Sequence, residues 1–108
     1  MTAEDERWLV FLKRRDGMIH ALDGGMWYHR HVFKGKPMAH VVSSNRRLLL
    51  RAGLRIGMKP EWLQYKPLKD PRTGGQLDAW HWDLRGWALE AGERLAETGV
   101  AGNGEVMR

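Results

Sequence analysis

The sequence predicts an α+β fold, with a small sheet of three or four short strands and two principal helices packed on one face. Short apolar runs recur along the chain with turn residues between them, which is typical of strands. Two other segments carry apolar residues at helical spacing. The chain has 108 residues, of which 43% are hydrophobic and 29% charged, as expected for one small globular domain.

The beginning of the chain is predicted to form a hairpin. Residues 8–12 and 18–22 are apolar runs. Asp16-Gly17 lies between them, and Asp-Gly is a favoured pair at the tip of a hairpin. A helix over residues 2–15 is the alternative, because acids begin this segment and basic residues end it, as the helix dipole favours.

The middle of the chain predicts a strand followed by a helix. Residues 27–33 are aromatic and polar and are expected to be irregular, and residues 34–37 predict a turn. Residues 38–42 form an apolar run around His40 and predict a buried strand. A helix is predicted over residues 45–57. Its expected apolar face consists of Leu48, Leu49, Ala52 and Ile56.

The last third of the chain predicts a loop, a strand and a second helix. Residues 66–78 are rich in proline and glycine and are expected to form a surface loop. A short strand is predicted over residues 80–83 and a helix over residues 84–98. The expected apolar face of this helix consists of Leu84, Trp87, Ala88, Ala91 and Leu95. We assign residues 1–99 to one compact domain and residues 100–108 to a flexible C-terminal tail.

The tryptophans are predicted to divide into core and surface residues. Five of them stand at periodic apolar positions and are expected in the core: Trp8, Trp62, Trp80, Trp82 and Trp87. Trp27 follows Gly24-Gly25, and we expect its ring to be exposed and suited to base stacking or a protein contact.

Charge is distributed unevenly along the chain. The net charge is +5, and no acidic residue occurs between positions 24 and 60. Such a basic face suits a polyanionic partner. The absence of cysteine excludes disulfides and thiolate metal sites. No apolar run is long enough to cross a membrane, and an acidic N-terminus argues against a signal peptide, so we expect a cytoplasmic protein without a membrane partner.

An arginine stripe gives the leading functional hypothesis. Arg47, Arg51 and Arg55 follow each other at i, i+4 and i+8 and therefore share one helix face. The expected nucleic-acid-binding residues are Arg46, Arg47, Arg51, Arg55, Lys59 and Trp27. This pattern favours a small, non-catalytic basic protein that contacts nucleic acid or an acidic protein surface. A solvated polar face is the alternative interpretation.

The order of several short motifs resembles a small bacterial and phage domain family of unknown function. The motifs are an apolar run ending in Asp23, His40 within its strand, Trp62-Leu63-Gln64, and His81-Trp82-Asp83-Leu84 before the last helix. The resemblance covers residues 18–92 and implies a fold and a candidate site rather than an activity. Ser44 stands where the family has an acid, and Trp82 where it has tyrosine. The small size, the basic face and the number of aromatic residues suggest a phage-encoded inhibitor of a host complex as a further hypothesis.

A histidine and aspartate set gives the enzyme hypothesis. His40, His81, Asp83 and Asp23 are the candidate catalytic residues, and Gln64 is expected at the rim of their pocket. Imidazole beside carboxylate suits acid–base catalysis, and the same donors suit a divalent transition metal. No cofactor-binding motif is present in the sequence, so no other cofactor is expected. Structural hydrogen bonding of the two histidines is the alternative.

Overall fold

The computed structural model describes residues 5–99, which form an α+β fold with a six-stranded mixed sheet, a separate two-stranded sheet and three α-helices. The strands are β1 (Trp8–Val10), β2 (Met26–Phe33), β3 (Lys36–Ser43), β4 (Gln64–Tyr65), β5 (Leu68–Lys69), β6 (Gln76–Leu77), β7 (Trp80–Leu84) and β8 (Ala96–Thr98). The helices are α1 (Arg14–Leu22), α2 (Arg46–Arg55) and α3 (Trp87–Leu95), and Pro60–Trp62 forms a 3-10 turn. The prediction of three or four strands and two helices is therefore wrong.

The large sheet has the strand order β4-β7-β3-β2-β1-β8. β1 runs parallel to both β2 and β8, whereas the pairs β2–β3, β3–β7 and β7–β4 are antiparallel. β5 and β6 pair only with each other and form the small sheet. The antiparallel half of the large sheet carries the candidate site.

Helix α1 replaces the predicted hairpin. Residues 18–22 are helical, and Gly17 lies in the first turns of the helix rather than at a hairpin tip. A Cβ at Gly17 would overlap the Trp27 indole, so glycine lets the helix lie directly on the sheet. The helix is also tied to the sheet where Ser44 Oγ donates to the carbonyl of Ala21 at 2.9 Å.

Strands β2 and β3 form a long hairpin. The expectation that residues 27–33 are irregular is wrong, because they pair with β3 along their length. Lys34 and Gly35 both have positive φ, as a two-residue type I′ turn requires. The predicted strand over residues 38–42 is confirmed and lies within β3.

Helix α2 agrees with its prediction. Asn45 caps it, because the Asn45 side chain accepts a hydrogen bond from the Leu48 amide at 3.1 Å. Leu48 and Leu49 are buried in the core. Gly57 has a φ of 96° just beyond the helix, which suits a residue without a Cβ.

Helix α3 is shorter than predicted, and the face that it buries is rotated about the helix axis from the predicted one. Leu84 belongs to β7. The helix buries Ala88, as predicted, together with Gly92, whereas Trp87 and Leu95 are both exposed. The helix ends at Leu95 because the next three residues form β8 on β1. That pairing joins positions about ninety residues apart in sequence, which local periodicity does not reveal.

The segment 66–78, predicted as a surface loop, contains β5 and β6. In the connection between β5 and β6, Asp70 is 4% exposed and its carboxylate forms an ion pair with Arg72. Arg72 also reaches Asp23 at the end of α1, so the small sheet is anchored beside that helix. The predicted tail, residues 100–108, lies outside the described residues. None of the helices in the described part is both long and apolar enough to span a membrane.

The two faces of the large sheet have different roles. Tyr28, Val41 and Trp82 are cross-strand neighbours that point into the core, where α2 and α3 cover them. Trp82 Nε1 donates to the carbonyl of Leu49 at 2.7 Å, which confirms the core prediction for this ring. Since side chains alternate along a strand, the intervening residues of β2, β3 and β7 point to the opposite face. That face is polar and rich in histidine.

The tryptophan predictions are partly wrong. Trp8 is buried as expected, and Trp80 is half-buried. Trp62 and Trp87 are 41% and 53% exposed, although their spacing predicts core positions. Trp27 is 2% exposed, because α1 covers the ring that we expected at the surface.

Candidate functional site

Three neighbouring strands bring His40, His81, Asp83 and Gln64 together on the polar face of the sheet. His40 on β3 is directly opposite Asp83 on β7. His81 precedes Asp83 by two positions and therefore shares its face, and Gln64 on β4 is opposite His81. The period of two predicts the shared face of His81 and Asp83, and the pairing of β7 with β3 and β4 brings His40 and Gln64 beside them.

Asp83 is the centre of this group. Its Oδ1 lies 2.7 Å from His40 Nδ1 and 3.2 Å from His81 Nε2. Its Oδ2 accepts a hydrogen bond from Gln64 Nε2 at 2.9 Å. Donor atoms from His40, His81 and Asp83 all lie within 4.8 Å of one another. We call these three residues the His/Asp cluster.

The His/Asp cluster is sheltered but open to solvent on one side. The side chains of His40 and Asp83 are each 28% exposed, and that of His81 is 12% exposed. Burial lowers the pKa of His81 below its ordinary value, although the Asp83 charge opposes this. A lowered pKa favours the neutral imidazole at pH 7, whose ring nitrogen has a free lone pair for a metal ion or a proton.

The His/Asp cluster lies in a groove of about 520 Å³ along the polar sheet face, which we call the sheet-face groove. Two further histidines, His29 and His31, line this groove from β2. The His29 ring stacks on Trp27 with a centroid distance of 4.7 Å. Burial, with the nearby charge of Arg14, lowers the pKa of His29. Four histidines therefore face one cavity.

Three cations at the sheet-face groove have no acidic partner within ion-pair distance among residues 5–99. They are Arg14, Lys66 and Arg85. Arg14 lies over the Trp27 ring, and Arg85 lies over the Phe33 ring. Arg30, by contrast, pairs with Glu93 at 3.0 Å. The groove therefore carries positive charge that no ion pair among residues 5–99 neutralises.

Asp23 lies apart from the other candidates. It follows α1 and pairs with Arg72 at 3.0 Å, and it does not line the sheet-face groove. Of the four candidate catalytic residues, only His40, His81 and Asp83 lie together, and Gln64 is hydrogen-bonded to the aspartate.

The arginine stripe lies on α2, away from this groove. Arg51 pairs with Glu6 at 2.8 Å, and Arg55 approaches the same carboxylate at 3.7 Å. Arg46 and Arg47 are exposed at the beginning of the helix. Lys59 lies over the Trp62 ring at 5.5 Å. The stripe thus contributes to holding the N-terminal segment against α2.

The sequence interpretation missed several groove residues. Trp27, His29, His31 and Phe33 alternate with other residues along β2, and this period of two was the available signal. Arg14 and Lys66 come from other segments, and no local pattern connects them with the histidines.

Comparisons with known proteins add no relative. No family model, no curated protein and no solved structure matches this chain. The resemblance to a bacterial and phage domain family therefore stays a prediction.

Proposed function

We propose that this protein binds one divalent transition-metal ion through the His/Asp cluster and presents it to an anionic substrate in the sheet-face groove. The observation that carries the proposal is the convergence of two imidazole nitrogens and one carboxylate oxygen within 4.8 Å. Imidazole and carboxylate are common ligands of zinc and of other first-row metals.

The surroundings of the His/Asp cluster support an active rather than a closed structural site. Three protein ligands leave a coordination position for water or substrate, as in catalytic zinc sites. A metal at such a position lowers the pKa of bound water and polarises a substrate oxygen. Gln64 would act on the metal through Asp83, because its amide already orients the second carboxylate oxygen.

Metal titration tests the proposal directly. Chelator-treated protein is titrated with Zn²⁺ and with Co²⁺, whose visible absorption reports nitrogen and oxygen ligation. We expect one ion per chain and a higher thermal unfolding midpoint, since a ligand of the folded state stabilises it. His40→Gln, His81→Gln and Asp83→Asn should each remove this binding, and Gln64→Leu should weaken it about 10- to 100-fold.

His31→Gln is the matched control, because His31 lines the same groove but is not one of the three clustered donors. It should keep wild-type stoichiometry and affinity. Equal losses in His31→Gln and His40→Gln would show diffuse binding to surface histidines. Absence of Zn²⁺ and Co²⁺ binding by the wild type would contradict the proposal and leave a structural hydrogen-bond network.

We infer a second candidate function, binding of nucleic acid through α2. Arg46, Arg47, Arg51 and Arg55 on one helix favour it, together with the net charge of +5. The Glu6 carboxylate beside Arg51 and Arg55 competes with phosphate for these two groups. This function does not depend on the His/Asp cluster and is tested separately below.

A further inference from the structure

We propose that the anionic ligand is a nucleotide unit, with its phosphate in the sheet-face groove and its base in a neighbouring groove beside Trp62 and Trp87. The second groove has a volume of about 580 Å³. That volume is within the range of small-molecule sites. We call it the tryptophan groove, and its remaining lining is contributed by Met58, Glu61, Gln64, Asp83, Arg85 and Ala88.

Two large indole rings lie partly exposed at the surface in this groove. Trp62 is 41% exposed, and Trp87 is 53% exposed. Both line the same groove, although they belong to different segments, the 3-10 turn and α3. Exposed indole rings bind bases by stacking, and every base has a face that suits this contact.

The tryptophan groove continues into the sheet-face groove. Gln64, Asp83 and Arg85 line both of them. Arg85 therefore stands at the junction, where the Phe33 ring and the Met38 sulfur contact its guanidinium group. The Arg85 guanidinium group has no carboxylate within ion-pair distance in the described part of the chain and is therefore suited to a phosphate at this position.

The two grooves differ in charge, as the two halves of the proposed ligand do. Arg14, Lys66 and Arg85 surround the sheet-face groove, whose acidic residue is Asp83. In the tryptophan groove, Glu61 and Asp83 offset the charges of Arg85 and of Lys59, which lies over Trp62. A ligand with a negative end and a neutral aromatic end matches this division, as a nucleotide does. A purely anionic ligand would leave the two indoles without a role.

The inference names the substrate class of the proposed metal site and in that respect rests on the proposed function. The cations and the tryptophans do not need the metal ion to bind a ligand, however. Binding is therefore measured first with chelator-treated protein and then with one equivalent of Zn²⁺, so that the two proposals can fail separately.

The test compares ligands that carry the two halves together and apart. Adenosine 5′-monophosphate, adenosine, ribose 5-phosphate and a single-stranded oligodeoxythymidylate of about ten nucleotides are titrated by calorimetry and by tryptophan fluorescence. We expect adenosine 5′-monophosphate to bind more tightly than either half. Tighter binding of the oligonucleotide would identify a single strand as the source of the nucleotide unit, and equal binding would identify a free nucleotide.

Variants assign each half to its groove. Trp62→Leu and Trp87→Leu should each weaken binding of adenosine 5′-monophosphate about tenfold or more and leave ribose 5-phosphate unchanged. Arg85→Gln should weaken both phosphate ligands and leave adenosine unchanged. Tyr65→Leu, an exposed aromatic residue outside both grooves, and Arg94→Gln on the outer side of α3 are the matched controls.

Two results would overturn the inference. In the first, adenosine 5′-monophosphate and the oligonucleotide bind no more tightly than ribose 5-phosphate. The tryptophans would then be assigned to contact with a protein partner. The other is equal binding by the wild type and by both tryptophan variants. Nucleotide binding without Zn²⁺ binding would retain the inference and reject the metal site, whereas the reverse would retain the metal site alone.

Discussion

The half-buried histidine His20 should make the stability of this protein depend on pH. His20 lies against Phe11 with a ring centroid distance of 5.1 Å, and its Nε2 has no hydrogen-bond partner within the described residues. Burial lowers the pKa of His20, while the Asp5 and Asp23 charges raise it and the Arg7 charge lowers it. As the pH falls below about 6.5, His20 becomes protonated in the unfolded chain but stays neutral in the folded protein, where its pKa is lower. The free energy of unfolding should therefore be highest above that pH and should decrease as the solution is acidified.

Urea unfolding of wild type and His20→Phe between about pH 7.5 and pH 5 measures this effect. The variant keeps an aromatic ring at the site but has no group to titrate there, so its stability should fall less on acidification. Because burial also lowers the pKa of His29 and His81, a smaller dependence of the same sign should remain. His31→Gln on the exposed sheet face is the control. Parallel pH profiles for wild type and His20→Phe would contradict the assignment.

The candidate site shows which residues a sequence can predict. His40, His81 and Asp83 interrupt apolar strands, and the period of two places His81 and Asp83 on one face without knowledge of the fold. Arg14 and Lys66 lie at the same groove because α1 and the chain before β5 pack there. Their position depends on tertiary packing, so no spacing in the sequence could predict it.

At the level of elements, the contact between α1 and the sheet depends on the absence of a side chain at Gly17. Gly17→Ala adds a Cβ that overlaps the Trp27 indole. Alanine favours helix by about 1 kcal/mol, whereas overpacking costs about 1–3 kcal/mol. We therefore expect the free energy of unfolding to fall by up to about 2 kcal/mol in urea denaturation. Gly75→Ala, where the nearest atom would be 3.5 Å away, should change it little. A stabilised Gly17→Ala would show that the helix lies further from the sheet.

The proposed role of α2 is tested by neutralising its arginines. Glutamine at Arg46, Arg47, Arg51 and Arg55 preserves helix propensity and avoids repulsion with Glu6, which charge reversal would create. If these groups bind duplex phosphates, the slope of log K against log salt should fall by about 0.9 for each phosphate that the variant no longer neutralises. An unchanged slope in a gel-shift or anisotropy titration would exclude α2 as the binding surface. Circular dichroism checks that the helix is retained.

Two elements show why the sequence predicts too few strands and helices. Residues 18–22 are apolar apart from His20, and so short a segment fits either a strand or part of a helix. The segment is helical, and Gly17 lets this helix pack directly on the Trp27 ring. β8 contains Ala96, Glu97 and Thr98, of which only Thr98 favours a strand. It is a strand because it pairs with β1. By contrast α2 was predictable, since its cap, apolar face and terminal glycine all lie within one short segment.

For the whole molecule, the position of β1 between β2 and β8 has consequences for folding order. The β2–β3 hairpin closes over a two-residue turn, so it can form early and locally, whereas β8 must find β1 across most of the chain. β8 is an edge strand with a single partner, and β3 is paired on both sides. In native-state hydrogen–deuterium exchange, the amides of β8 should therefore exchange through local opening at a lower free energy than those of β3, which should require global unfolding. The sheet would then open from its edges inward, and the central strand β3, which carries His40, would be the last part to lose protection.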